Sequence, residues 1–326
     1  MAALAVALPA WPSAGAAEAT WHIYPLNTGE PASRITSLDG AVWFTTGTSG
    51  PSFERISFNG KITPFYTEDL HPGAITSGGG RLFMSSFTLV VNIVAYLPGT
   101  RELIVYPAVG PSGDTLISGQ LAWAPTGDLW FPERNHIARL EPLGKIVEYA
   151  TASQPTGALV LGPDKALWYS LSPGLSPVII ARIDPVTFRT SELTLPPDPC
   201  DTLGGSTYSL AASPDGYVYA ACFNYVSNPT SYFYRIDPRD LRVRTYGPFR
   251  LMVYGMAIGP DQNLYLANGY SNALAYFDPR QGIIGYYYTP NGDGVGALTL
   301  GPDGNVWALM GETPAIGTLI LRRPHP

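Results

Sequence analysis

The chain has 326 residues, of which 45% are apolar and only 13% charged, with a formal net charge of −6. That length and apolar content suffice for a large buried core. The acidic balance, with no Lys/Arg cluster beyond Arg322-Arg323, argues against a phosphate-tracking surface, so nucleic acid is not an expected partner.

Residues 1–19, MAALAVALPAWPSAGAAEA, differ from all that follows. Ala2–Trp11 is an apolar run of signal-peptide length, followed by the small-x-small pattern Ala14-Gly15-Ala16, although a basic start is missing. The run is too short to span a membrane. The segment reads as an export signal, with a disordered tail as the alternative, and the expected location is secreted or periplasmic. Residues 20–326 are then expected to form one domain, as a monomer.

Thr20–Leu26 is an alternating segment that resembles the outer strands at Ile62–Tyr66, Glu102–Tyr106 and Ile283–Tyr288. From there the chain repeats one unit. Its clearest copy, Leu121–Tyr149, reads as four strands: Leu121–Ala124, Leu129–Phe131, Ile137–Leu140 and Lys145–Tyr149. The central aromatic of the second strand recurs at Trp43, Phe83, Trp130, Trp168, Tyr219, Tyr265 and Trp307, with spacings of 40, 47, 38, 51, 46 and 42 residues. A period in that range is the signature of a four-stranded propeller blade. The predicted fold is therefore all-β: a seven-bladed β-propeller of four-stranded antiparallel blades. Because Leu298–Leu321 supplies only three strands, Thr20–Leu26 is expected to complete the last blade and close the ring. His22 then lies far from the axis.

A turn of Gly-Pro-Asp-Gly type precedes most of these aromatics, as at Gly162-Pro163-Asp164 and Gly301-Pro302-Asp303-Gly304. Pro presets one dihedral, Asp bonds back to nearby backbone and Gly accepts positive φ, so these aspartates read as structural. Between blades lie longer connections at 107–119, 195–209, 247–255 and 289–296. In a propeller these share a face with the loops leaving each second strand, which places the expected ligand site there, at the mouth of the central channel. The tyrosines Tyr208, Tyr225, Tyr254 and Tyr270 fall in or beside such loops, together with Asp293. They suit an amphipathic ligand, although packing between blades is an equal use for them. Cys200 enters blade 5 and Cys222 ends its second strand on the same face, so a disulfide between them is feasible, two free or buried thiols being the alternative.

The copy Gly127-Asp128-Leu129-Trp130-Phe131-Pro132-Glu133, Ile137-Ala138-Arg139-Leu140, Gly144-Lys145-Ile146-Val147-Glu148-Tyr149 resembles the blade signature of the streptogramin (virginiamycin B) lyase-like propellers. Degenerate copies cover nearly the whole chain after residue 19. The resemblance implies a seven-bladed propeller and, for members with lyase activity, opening of a cyclic depsipeptide at its ester. It also implies a central magnesium site with histidine and glutamate groups near the channel mouth. In this sequence the motif's glutamate position reads Thr46, Ser86, Glu133, Leu171, Cys222, Asn268 and Met310, so one blade keeps the acid. The histidines are His22, His71, His136 and His325. Glu133, His136 and His71 are the candidate base and acid, with Asp293 across the mouth; independent solvated loop residues are the competing reading.

Two functions follow. One is an exported propeller that binds a small molecule, glycan or protein on its loop-rich face. The other is a metal-dependent lyase or hydrolase of the virginiamycin B lyase type, and magnesium is expected only in that case.

Overall fold

The structure is a computed structural model that describes residues 19–27, 31–46, 52–67, 70–87, 91–115, 119–172, 178–196, 206–224, 230–269 and 271–321. These residues form seven four-stranded antiparallel sheets. The first strands of neighbouring sheets contact one another around a ring, so each sheet is a blade with its first strand innermost. Blade 3 consists of Ala122–Trp123, Leu129–Pro132, His136–Leu140 and Ile146–Ala150 in that spatial order. These strands lie within one or two residues of the positions expected from the repeat.

Ring closure follows the same logic as the sequence pattern. Blade 7 contains Val295–Leu300, Val306–Met310 and Ala315–Leu321, and its outer strand is Ala19–Pro25. Seven residues of that strand pair in register with Ala315–Leu321, including His22 with Thr318. His22 is therefore at the rim.

A four-stranded sheet has two apolar faces, and stacking against the next blade buries both. The core accordingly divides into clusters at the blade boundaries. One joins Val42, Phe44 and Ile56 of blade 1 to Trp307, Leu309 and Ile316 of blade 7. Another joins Phe83, Ile93 and Ala95 of blade 2 to Leu129, Phe131 and Ala138 of blade 3. Phe87 and Val91, which flank an apolar loop in the sequence, pack against this second cluster.

The repeated turn aspartates have a structural role beyond the turn. Asp164 Oδ1 accepts from Trp168 Nε1 at 2.9 Å, and Asp303 Oδ1 from Trp307 Nε1 at 3.1 Å. Where the aromatic is tyrosine, Asp215 and Asp261 accept from the Tyr219 and Tyr265 hydroxyls at 2.9 and 3.1 Å. Each aspartate thus satisfies the polar atom of the aromatic four residues later, letting that ring be buried. Asp164 also pairs with Arg182 at 3.0 Å. Asp164→Ala is expected to cost about 2 kcal/mol, since it strands the Trp168 indole N–H; denaturant unfolding of the variant checks this. The position after the aspartate needs positive φ, and it is filled by Gly304 (76°) in blade 7 but by Lys165 (65°) and Gln262 (66°) in blades 4 and 6.

The connection between blades 5 and 6 is shorter than the sequence suggests. Strands Val243–Phe249 and Val253–Ile258 leave three residues between them, of which Leu251 and Met252 are buried. Ser231 Oγ donates to the Leu251 carbonyl at 2.8 Å, so this stretch is core and not a surface loop.

Candidate functional site

A cavity of about 1020 Å³ runs along the axis, lined by the innermost strands and by residues of the loop-rich face. At that face the chain is built from glycines. The added Cβ of any other residue at Gly119 would strike the backbone of Gly157, and one at Gly294 would press on that of Gly269. Gln120 N donates to Gly157 O at 2.7 Å and Gly311 N to Gly294 O at 2.9 Å, joining neighbouring elements around the mouth. Arg34, Gln120 and Glu312 add polar side chains to the lining.

Tyr254 is the aromatic that the structure places at this mouth. It lines the cavity and remains 46% exposed. Its ring meets Phe223 edge-on at a centroid distance of 5.7 Å and lies over Gly269, where a Cβ would come within 2.5 Å of Tyr254 Cε2. The ring is thus held in place while one side faces the channel. Tyr208 lies in the innermost strand of blade 5, Ser206–Ala212, with its side chain outside the described residues. Tyr225 and Tyr270 also lie outside them. Asp293 is buried and holds its own loop: its carboxylate accepts from Asn291 Nδ2 at 2.5 Å and its carbonyl from Thr289 Oγ1 at 2.6 Å.

Glu133 and His136 do come together, but away from the cavity lining. Glu133 directly follows the second strand of blade 3 and His136 begins the third, and their backbones close the hairpin with Glu133 N donating to His136 O at 2.9 Å. Glu148, on the outer strand, completes the group: ligand atoms of Glu133, His136 and Glu148 lie within 4.8 Å of one another. The connection from blade 2 folds over them. Asp114 Oδ2 lies 3.0 Å from His136 Nδ1 and accepts from Asn135 Nδ2 at 3.0 Å. Ser112 donates to Glu148 through its amide (3.0 Å) and its hydroxyl (2.7 Å). Gly110 lies against this group, where a Cβ would displace the Glu148 carboxylate.

Glu133 is 0% exposed, and neither of its carboxylate oxygens has a hydrogen-bond partner. Burial pushes its carboxyl up to about 8, and the nearby charges of Glu148 and Asp114 act in the same direction. His71 is not part of this group. Its backbone serves the blade-2 hairpin, with the amide donating to Ser86 Oγ and the carbonyl accepting from Phe87 N. Sequence reasoning missed Glu148 and Asp114. The glutamate of the Gly-x-x-x-Glu-Tyr segment was visible as a motif residue, whereas Asp114 reaches the site only through the fold of a connection.

Magnesium prefers near-octahedral oxygen and water ligands, and the metal-capable group found among the described residues includes an imidazole. That donor set does not fit magnesium well. Cys222 is buried and disulfide-bonded. Cys200, the other cysteine of the sequence, lies outside the described residues, and its pairing with Cys222 remains a proposal.

No family model matches this sequence, and no curated protein matches it. Solved structures do. A streptogramin B lyase structure superposes with a TM-score of 0.75 at 22% identity, covering 93% of this chain and 98% of that one. A catalytically inactive virginiamycin B lyase from Staphylococcus aureus with quinupristin gives 0.75 at 21% identity, covering 94% and 100%. The extracellular domain of a hybrid two-component system from B. thetaiotaomicron gives 0.69 at 12%, covering 94% of this chain and 40% of that one. At these identities the likeness is one of fold, and the fold this chain shares with streptogramin B lyase is the seven-bladed propeller.

Proposed function

We propose that this protein is an exported propeller that binds an amphipathic small molecule or glycan at the loop-rich mouth of its central channel. The observation that carries this reading is Tyr254: an exposed ring, fixed by Phe223 and Gly269, at the rim of a cavity of about 1020 Å³. A cavity of that size with an aromatic platform and a few polar groups has the character of a ligand site. Export is supported by the apolar leader and by structural likeness to extracellular domains. No helix among the described residues is long and apolar enough to cross a membrane.

The test is thermal unfolding of the chain with a panel of soluble glycans and with quinupristin as an amphipathic cyclic probe. One of them is expected to raise the melting temperature in a saturable way, and Tyr254→Ala to weaken that ligand about tenfold or more, consistent with about 1–3 kcal/mol from a lost aromatic contact. A protein partner is the outcome if no small ligand shifts the transition and Tyr254→Ala has no effect on any of them.

A metal-dependent lyase is the second reading, favoured by the fold shared with streptogramin B lyase. Turnover of quinupristin that is lost with EDTA would establish it over simple binding.

A further inference from the structure

We infer that Glu133, His136 and Glu148 form a binding site for a first-row divalent transition metal, zinc or manganese, beneath the connection between blades 2 and 3. The carrying observation is a buried carboxyl group without partners. A side chain with no exposed surface, Glu133, points both carboxylate oxygens at no hydrogen-bond donor and faces the carboxylate of Glu148. Buried polar atoms without partners are rare because they forfeit their water. His136 is the one basic member of the group. A divalent cation resolves this, since it supplies a partner for each unsatisfied oxygen.

The surroundings have the arrangement expected around a ligating set. Metal-bound histidine typically gives its other ring nitrogen to a carboxylate, which fixes tautomer and orientation. Asp114 Oδ2, at 3.0 Å from His136 Nδ1, stands in that position and leaves Nε2 with the free lone pair. Ligating carboxylates are hydrogen-bonded as well, and Glu148 is held by the amide and hydroxyl of Ser112. The side chains of His136 and Asp114 are each 19% exposed, which gives an ion a path in from the surface.

One imidazole and two carboxylates select for a borderline ion over magnesium or calcium. Three protein donors also leave at least one coordination position for water, as in open rather than closed zinc sites. The site is separate from the channel-mouth reading above and stands whether or not a ligand binds beside Tyr254.

The experiment is metal analysis and calorimetric titration of the full chain, stripped with EDTA and then given zinc, manganese, magnesium or calcium in turn. Zinc or manganese is expected to bind at one equivalent per chain and to raise the melting temperature. Glu133→Gln, which keeps the side-chain shape, and His136→Ala are each expected to weaken binding at least a hundredfold. Asp114→Asn is expected to weaken it about tenfold, as removal of an orienting partner does. In the stripped protein Glu133→Gln is expected to melt no lower than the parent, because the amide keeps the shape of the buried carboxyl; that comparison separates lost binding from lost folding. Absence of zinc and manganese binding overturns the inference, as does binding that survives both Glu133→Gln and His136→Ala. A preference for magnesium or calcium overturns the donor assignment.

Discussion

A chain lacking residues 19–25 is expected to melt about 10 °C or more below the full chain. The strand contributes the whole outer edge of blade 7, paired along Ala315–Leu321. Trp21 and Ile23 pack on the cluster shared by blades 6 and 7 and lie close over Gly317, whose missing side chain makes room for them. Removing them loses their partial burial, about 1 kcal/mol for each of these half-buried side chains, and uncovers the cluster beneath, before any loss of pairing. It also leaves Ala315–Leu321, a run of Ala-Ile-Gly-Thr-Leu-Ile-Leu, as a bare sheet edge. Such an edge invites pairing with a second chain, so the truncated protein is further expected to aggregate on heating. Calorimetry and light scattering on the two proteins check both effects. An unchanged melting temperature would refute the closure energetics.

The second large effect is a pH dependence that runs opposite to the usual carboxylate case. Glu54 lies in the third strand of blade 1, is 2% exposed, and its Oε1 has no hydrogen-bond partner. Burial raises its carboxyl to about 7 from an ordinary 4.5. The folded state therefore keeps the proton in a pH range where the unfolded chain has released it. Its contribution to stability is fully present below pH 4.5 and is lost as the pH climbs from there through 7. A displacement of that size corresponds to about 3 kcal/mol at full ionisation. Glu54→Gln is expected to match the parent near pH 4 and to exceed its stability by about that amount at pH 8. Denaturant titrations at the two pH values decide it. Glu133 shifts in the same direction, so the quantity to compare is the difference between variant and parent, in which Glu133 cancels. A difference that does not change with pH would show that Glu54 is charged and satisfied throughout.

Much of the architecture was legible because it is written in turns and strands. Seven aromatics at blade spacing, four of them after a Pro-Asp turn, report strand count, order and closure without tertiary information. Even the structural role of the aspartates could be read, although their bonds to Trp168, Trp307, Tyr219 and Tyr265 could not, since those depend on side-chain direction. The site was less legible for the same reason. Glu133 and His136 are three residues apart and share a hairpin, so their convergence follows from local structure. Glu148 joins them through strand pairing of the outer edge, and Asp114 through a connection with no repeat to guide it. Conversely, residues 247–255 have the Gly/Pro content of a loop, yet Leu251 and Met252 are buried, and their apolar character was the better guide. The placing of Tyr254 over the channel depends on its packing against Phe223 and Gly269, which the sequence spacing does not report.

The pairing of Ala19–Pro25 with Ala315–Leu321 also sets a schedule for the molecule's birth. The two partners are separated by about 290 residues of intervening chain. At translation speeds of 5–20 residues per second, the first strand waits roughly 15–60 s for the last to appear. Six blades can assemble from neighbouring hairpins during that interval, but the seventh cannot, so the nascent ring stays unlatched until Ala315–Leu321 has been made. The last seam is thus a timing device as well as a fastening.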